Sequence, residues 1–229
     1  MSLIPFSKIH EQAATRKGGD KALKKLLPAL RSKKALKAMG DDRYLSAMAQ
    51  GVNQAGFSWK VIENKWPQFE EAFFGFDPKK LVLLPDEKWE AYTQDKRVVR
   101  HWGRIKAVKE NLAFVYNISR EYNGFGNWLT EWPASQQIDL LKELKNRGSR
   151  LGGNTGQWFL RKVGKDGFVT TRDVCAALIL AGVDIKPAPT SQGEMKRIQA
   201  AFNEWHEQTG LPFAHLSRIA ACSVGENVL

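Results

Sequence analysis

The chain is 229 residues long, with 43% hydrophobic residues, eight Trp and a formal net charge of +11 from 35 Lys and Arg against 24 Asp and Glu. That apolar content is ample for a buried core in one or two domains. No apolar run approaches the roughly 20 residues a membrane helix needs, and the N-terminus lacks a signal-peptide core, so a soluble, cytoplasmic protein is expected. Cys175 and Cys222 are the only cysteines, too few for an iron–sulfur cluster on four thiolates or a four-cysteine zinc site.

The positive excess favours a polyanionic partner, because each phosphate neutralised releases counterions and steers association. It is also clustered: residues 142–165 hold seven Lys or Arg against one Glu, and residues 96–109 hold six with no acid. Clustering of that kind points to nucleic acid rather than to a generally basic surface.

In chain order, the first 40 residues mix ten Lys or Arg with two acids. Lys17-Gly18-Gly19 and Pro28 punctuate short basic helices, and Leu23, Leu26, Leu27 and Leu30 form a stripe that packs. Gly40-Asp41-Asp42 caps a helix from about Arg43 to Ala55. Gly56 ends it, and Phe57-Ser58-Trp59 starts the next, which reaches Trp66-Pro67. A separate helix from Phe69 to Phe74 stops at Gly75, and Asp77-Pro78 and Pro85-Asp86 each open another short one. No run shows sustained period-two alternation, so the fold class expected is all-α, with two lobes rather than a bundle of few long helices.

The stretch from Ile138 to Val183 carries the densest punctuation. Ile138, Leu140, Leu141 and Leu144 form a helical stripe that stops at Gly148, and a second helix opens after Gly152-Gly153 and runs through Trp158, Phe159, Leu160 and Val163 to Gly164. Two helices joined by a glycine turn form a hairpin whose second helix points its first backbone N–H groups outward, which suits a phosphate oxygen. Thr170, Thr171 and Asp173 then precede an apolar run, Val174 to Val183, read as a buried helix. Asp173 therefore stands at or beside a helix N-terminus, where capping is sufficient to explain it. After the extended link Lys186-Pro187-Ala188-Pro189, Thr190-Ser191 caps a helix from about Gln192 to Gln208 with a core stripe of Met195, Ile198, Ala201, Phe202 and Trp205. Gly210 and Pro212 break it before a short helix from Leu216 to Cys222.

The hairpin L-G-G-N-T-G (Leu151 to Gly156) followed by Asp173 resembles the helix-hairpin-helix DNA glycosylases. A second resemblance is carried by N-Q-A-G-F-S-W-K-V-I (Asn53 to Ile62), F-F-G-F-D-P-K-K (Phe73 to Lys80) and V-V-R-H-W-G-R-I-K-A-V-K-E-N (Val98 to Asn111). These motifs are similar in order and spacing to the 3-methyladenine DNA glycosylase I family, and with the hairpin the resemblance spans roughly residues 41–175.

The resemblance implies a two-lobed helix-hairpin-helix fold with DNA in the cleft between lobes, one lobe of about residues 41–167 and the other of residues 1–40 and 168–229. It implies a monofunctional glycosylase of base excision repair that flips alkylated purines such as 3-methyladenine out of duplex DNA and hydrolyses the N-glycosidic bond. Asp173 falls on the superfamily's catalytic aspartate and Trp59 on the family's base-stacking tryptophan, with Asn53 and Gln54 as polar candidates to read the base and Glu63 behind them. Arg150, Gly152, Gly153, Asn154, Thr155 and Lys162 are the expected DNA-binding residues of the hairpin. Arg100, His101 and Arg104 are read as a solvated helix start.

Two departures stand out. The family's zinc is held by paired Cys and His from both chain ends, whereas His10, His206, His215 and Cys222 show no such spacing, so no metal or other cofactor is expected. The family's purine-reading glutamate falls on Gly51, which has no side chain to accept a hydrogen bond. Bifunctional members place a Schiff-base lysine before the hairpin threonine, and here Asn154 precedes Thr155, so no lyase activity is expected. The protein is expected to act as a monomer. The alternative is a non-catalytic DNA-binding protein on the same scaffold, which Gly51 supports and which Trp59 and Asp173 oppose.

Overall fold

The structure is a computed structural model that describes residues 3–225. Among them every regular element is helical. In order these are α1 (Phe6–Arg16), α2 (Asp20–Lys25), α3 (Lys33–Lys37), α4 (Asp41–Gln54), α5 (Trp59–Ala72), α6 (Pro78–Leu81), α7 (Asp86–Ala91), α8 (Trp102–Tyr122), α9 (Phe125–Glu131), α10 (Gln137–Arg147), α11 (Asn154–Lys162), α12 (Arg172–Leu180), α13 (Gln192–Thr209) and α14 (Phe213–Ser223). The all-α expectation holds. No helix of the described residues is long and apolar enough to cross a membrane.

Short-range chemistry starts and stops many of these helices as the sequence indicates. Asp77 accepts from the Lys79 N–H with Pro78 at the first helical position, and Ser191 and Glu194 form a reciprocal capping box at α13. The Glu194 carboxylate also accepts the backbone N–H groups of Lys186 (2.9 Å) and Thr190 (3.2 Å), so these bonds hold it down at a pKa of about 2 and close the proline-rich link onto the helix.

Longer-range packing overrides two expectations. Helix α5 does not end at Trp66-Pro67 but continues to Ala72 with Pro67 inside it. A proline there forfeits a backbone bond and costs roughly 3 kcal/mol in an isolated helix. Buried Ile62, Phe69 and Ala72 lie on both sides of it, and Trp66 stacks on Phe69 and Phe76 at 4.8 and 5.5 Å while donating to Glu70 Oε1 at 3.1 Å. In α12 the apolar run is not buried to its end, since Ile179 and Leu180 are exposed.

The chain divides into two compact units, one made of residues up to Leu30, Pro133–Leu140 and from Gly164 onward, the other of Arg31–Trp132 and Leu141–Val163. The sequence reading instead drew one lobe as the single stretch 41–167. Specific bonds explain the difference. Tyr44 Oη donates to the Leu36 carbonyl at 2.7 Å, and α3 packs on α9, which ties 31–40 to the second unit. Residues 133–140 belong to the first unit because the Gln137 amide exchanges two bonds with the Phe168 backbone, at 2.7 and 2.8 Å. Gln199 in turn bonds Ile138 N–H and the Ala134 carbonyl. The core of the first unit is built on Phe6, Phe168, Phe202 and Trp205, and that of the second on Tyr44, Phe73, Phe125 and Phe159, all fully buried.

Candidate functional site

Helix α8 organises the second unit. Arg104 in its first turn donates to the carbonyls of Val52 (2.5 Å), Asn53 (3.0 Å) and Ala55 (2.7 Å), which are the acceptors that the end of α4 leaves without an intrahelical partner. Its guanidinium also lies 4.6 Å over the Phe57 ring. Arg104 is therefore not a solvated residue at a helix start but the clamp that fixes the turn leading to Trp59. Two turns further on, fully buried Asn111 accepts from the Ser149 N–H at 2.7 Å and donates to its carbonyl at 3.0 Å, which fixes the first turn of the hairpin loop. One helix thus positions both the tryptophan and the hairpin.

Three helices of this unit turn one face each toward a common point. Residues separated by three, four or seven positions share a helix face, and the set comprises Gln50, Gly51 and Gln54 on α4, Trp59 and Glu63 on α5, and Thr155, Trp158 and Lys162 on α11. The contacts bear this out. Trp59 meets Trp158 edge-on with ring centroids 4.8 Å apart. The Lys162 ammonium donates to Gln50 Oε1 at 2.6 Å and to Gln54 Oε1 at 3.1 Å, and Gln54 Nε2 donates to Glu63 Oε1 at 3.3 Å. A Cβ placed on Gly51 would stand 3.5 Å from Thr155 Cγ2, an ordinary contact, so the glycine is not required by crowding.

Trp59, the first residue of α5, is 41% exposed, in contrast to Trp89 and Trp205, which are fully buried. It is not a core residue. Gln54 belongs to the shared face, whereas Asn53 lies about 100° round the helix from it. The Asn53 side chain is buried, with its N–H donating to the Ala49 carbonyl at 2.9 Å and its Oδ1 without a hydrogen-bond partner. Lys162 is an exposed residue whose ammonium is held by the two glutamines. Burial of that ammonium pushes its pKa down to about 8, against the opposing pull of Glu63. Gln50 and Trp158 are members of the face that the sequence reading passed over, although their spacing to Gln54 and Lys162 carried the signal.

The hairpin loop joins α10 to α11 through residues 148–153. Gly153 precedes α11 at φ +57°, and Arg150 holds the same left-handed φ of +57°, a conformation that side chains other than glycine rarely adopt. Gly152, Gly153 and Asn154 lead into the first turn of α11, where Thr155 follows. Burial lowers the Arg104 pKa, and the charge of the exposed Arg150 nearby lowers it further. An exposed guanidinium in a loop that leads into a helix N-terminus is an arrangement that an anion stabilises.

Asp173 stands in the first unit as the second residue of α12, and it is not the cap. Thr171 occupies the N-cap and accepts from the Val174 N–H at 3.2 Å. Asp173 is half-buried, and a Cβ on Gly225 would lie 3.3 Å from its Oδ1. The capping that would account for an aspartate here is thus supplied by another residue.

Among the described residues no three His, Cys, Asp or Glu side chains are grouped to hold a metal. His206 meets the Leu211 carbonyl and His215 the Pro28 carbonyl, each through one ring nitrogen, while Cys222 is buried.

Comparison with known proteins places this architecture. An 8-oxoguanine DNA glycosylase of Methanocaldococcus jannaschii superposes with a TM-score of 0.57 over 93% of this chain and 89% of its own at 16% sequence identity, which establishes the helix-hairpin-helix glycosylase fold. The family model described as methyladenine glycosylase matches residues 36–151. The chain belongs to that family. Two relatives are DNA-3-methyladenine glycosylase 1 of Escherichia coli, 28% identical over 120 residues, and DNA-3-methyladenine glycosylase of Haemophilus influenzae, 34% identical over 120 residues. In both comparisons 44% of this chain is matched, and it spans 64% and 65% of those relatives' own length.

Proposed function

We propose that this chain is a monofunctional DNA glycosylase of base excision repair, which flips alkylated purines such as 3-methyladenine from duplex DNA and hydrolyses their N-glycosidic bond. The observation that carries this reading is Trp59, an exposed aromatic at the head of a helix in a family of methyladenine glycosylases. A flipped base loses its stacking neighbours, and a tryptophan face restores that interaction, most strongly for a cationic alkylated purine. Asp173 supplies the carboxylate that stabilises the oxocarbenium-like sugar while water attacks and the base departs. With Asn154 rather than lysine ahead of Thr155, the hairpin offers no Schiff-base nucleophile there, so strand cleavage is not part of the activity. The reading requires neither metal nor partner subunit.

The test is release of free bases from methylated duplex DNA, followed by chromatography of the supernatant. Release of alkylated purines without strand scission is the expected result. Tight duplex binding with no base released would instead make this a DNA-binding protein on the glycosylase scaffold.

In the same proposal the backbone of Gly152, Gly153, Asn154 and Thr155, with Arg150, holds a phosphate. Arg150→Ala is expected to weaken binding to any duplex and to reduce the slope of log affinity against log salt by about one unit. An unchanged slope in a salt titration would remove Arg150 from the interface.

A further inference from the structure

The resemblance places a base-reading glutamate at Gly51, which has no side chain. Gln50 and Gln54 flank it along α4, and both direct their amide oxygens to Lys162 of α11, at 2.6 and 3.1 Å. Glu63 reaches this pair through the Gln54 amide rather than by direct contact with the ammonium. The stacking tryptophan and its edge-on partner Trp158 come from the same faces of α5 and α11. A charged donor is thus held where the family presents a charged acceptor.

We propose that Lys162 is the base-reading residue of this protein, and that it selects purines carrying a 6-carbonyl over those carrying a 6-amino group. The proposal rests on the base-flipping glycosylase reading and changes its substrate class, putting 6-oxopurines ahead of the 3-methyladenine named there.

An ammonium has three donor hydrogens and no acceptor. Two of them are committed to Gln50 and Gln54, which fixes the direction of the third. N7 is an acceptor in both kinds of purine, whereas position 6 presents an O6 acceptor when it is a carbonyl and an N6 donor when it is an amine. A 6-oxopurine therefore meets Lys162 donor to acceptor. 3-Methyladenine turns its N6 donor toward the ammonium and, while still attached to the sugar, also brings a positive charge toward it. Sites built around a specific buried hydrogen bond discriminate strongly, because the mismatched partner leaves a polar group unpaired.

The experiment compares wild type, Lys162→Met and Gly51→Glu in two readouts. The first is calorimetric binding of free hypoxanthine and free 3-methyladenine. The second is single-turnover release of the same bases from duplex DNA, each taken relative to its spontaneous loss. The wild type is expected to bind hypoxanthine at least tenfold more tightly than 3-methyladenine. Lys162→Met should erase that preference, and Gly51→Glu, which restores an acceptor, should move it toward 3-methyladenine. A wild type that favours 3-methyladenine in both readouts overturns the proposal while leaving base excision intact. A preference unchanged within twofold in both folded variants overturns it equally. The expected binding preference without release of either base sustains Lys162 as the reader and overturns the excision reading instead.

Discussion

Asp173→Asn is expected to slow base excision by on the order of 10²-fold or more while leaving the fold and the affinity for undamaged duplex nearly unchanged. The structural part of this expectation follows from Thr171, which already caps α12, so the side-chain oxygen of residue 173 is not needed for that purpose. A carboxylate in the first turn still interacts with the helix dipole, an effect of about 0.3–1 kcal/mol. For a chain of this size such a loss lowers the melting temperature by only about 1–4 °C. The catalytic part is larger. Removing one preorganised charge from a developing oxocarbenium ion costs about 3 kcal/mol, which is roughly the stated factor in rate. A cationic leaving group blunts the effect, because the lesion itself then lowers much of the barrier. Hypoxanthine and 3-methyladenine should therefore be compared under single-turnover conditions, with the larger loss on the neutral base. Rates within twofold of wild type on both substrates would reduce Asp173 to an N-terminal charge and transfer the catalytic role to Glu63 or to binding alone.

Gly156→Ala is expected to damage the hairpin far more than alanine at either glycine of the Gly152-Gly153 pair. Gly156 lies in the first turn of α11, and a Cβ there would stand 2.5 Å from the Leu151 carbonyl oxygen and 3.1 Å from Leu141 Cδ2. The first of these atoms is backbone, held in the loop that Asn111 clamps, so it cannot rotate out of the way. Overpacking of this kind costs typically 1–3 kcal/mol, equivalent to roughly 2–12 °C in melting temperature. Duplex binding should fall with it, since the loop must shift away from the N–H groups at the head of α11. The neighbouring glycines provide the contrast. A Cβ on Gly152 would meet only the flexible Lys145 side chain, at 3.4 Å, and one on Gly153 would meet nothing within 4 Å, so Gly153→Ala carries only the strain of its positive φ. Thermal melting of the three alanine variants checks the ranking, and a Gly156→Ala protein as stable as the Gly152→Ala protein would show that the loop yields after all.

The contrast between those glycines bears on what can be read from a linear chain. Gly152 and Gly153 stand out because a glycine pair before a helical run announces a turn, whereas Gly156 sits inside the helical pattern and carries no local signal. The same division runs through the molecule. Asp77-Pro78, Ser191 with Glu194, Gly148 and Gly210 mark helix ends by bonds or backbone angles within four residues, so the sequence by itself determined those boundaries, the all-helical class and the hairpin. The resemblance carried by the three motifs singles out Trp59, which the structure leaves exposed at the head of α5. Tertiary structure decided that α5 passes through Pro67, because Ser46 and Phe76 hold Trp66 beside it together with Phe69 and Glu70 of the same helix. It decided that Arg104 caps α4 from about 50 residues away, and that Gln137 carries residues 133–140 into the first unit through Phe168. Above all, it turned Lys162 from one more basic residue of the hairpin into a partner of Gln50 and Gln54, 112 and 108 positions earlier. The physical reason is range. Caps and turns satisfy backbone groups within a few residues, where composition reveals them, while the direction of a long side chain is set by whichever acceptor the packed helices bring to it.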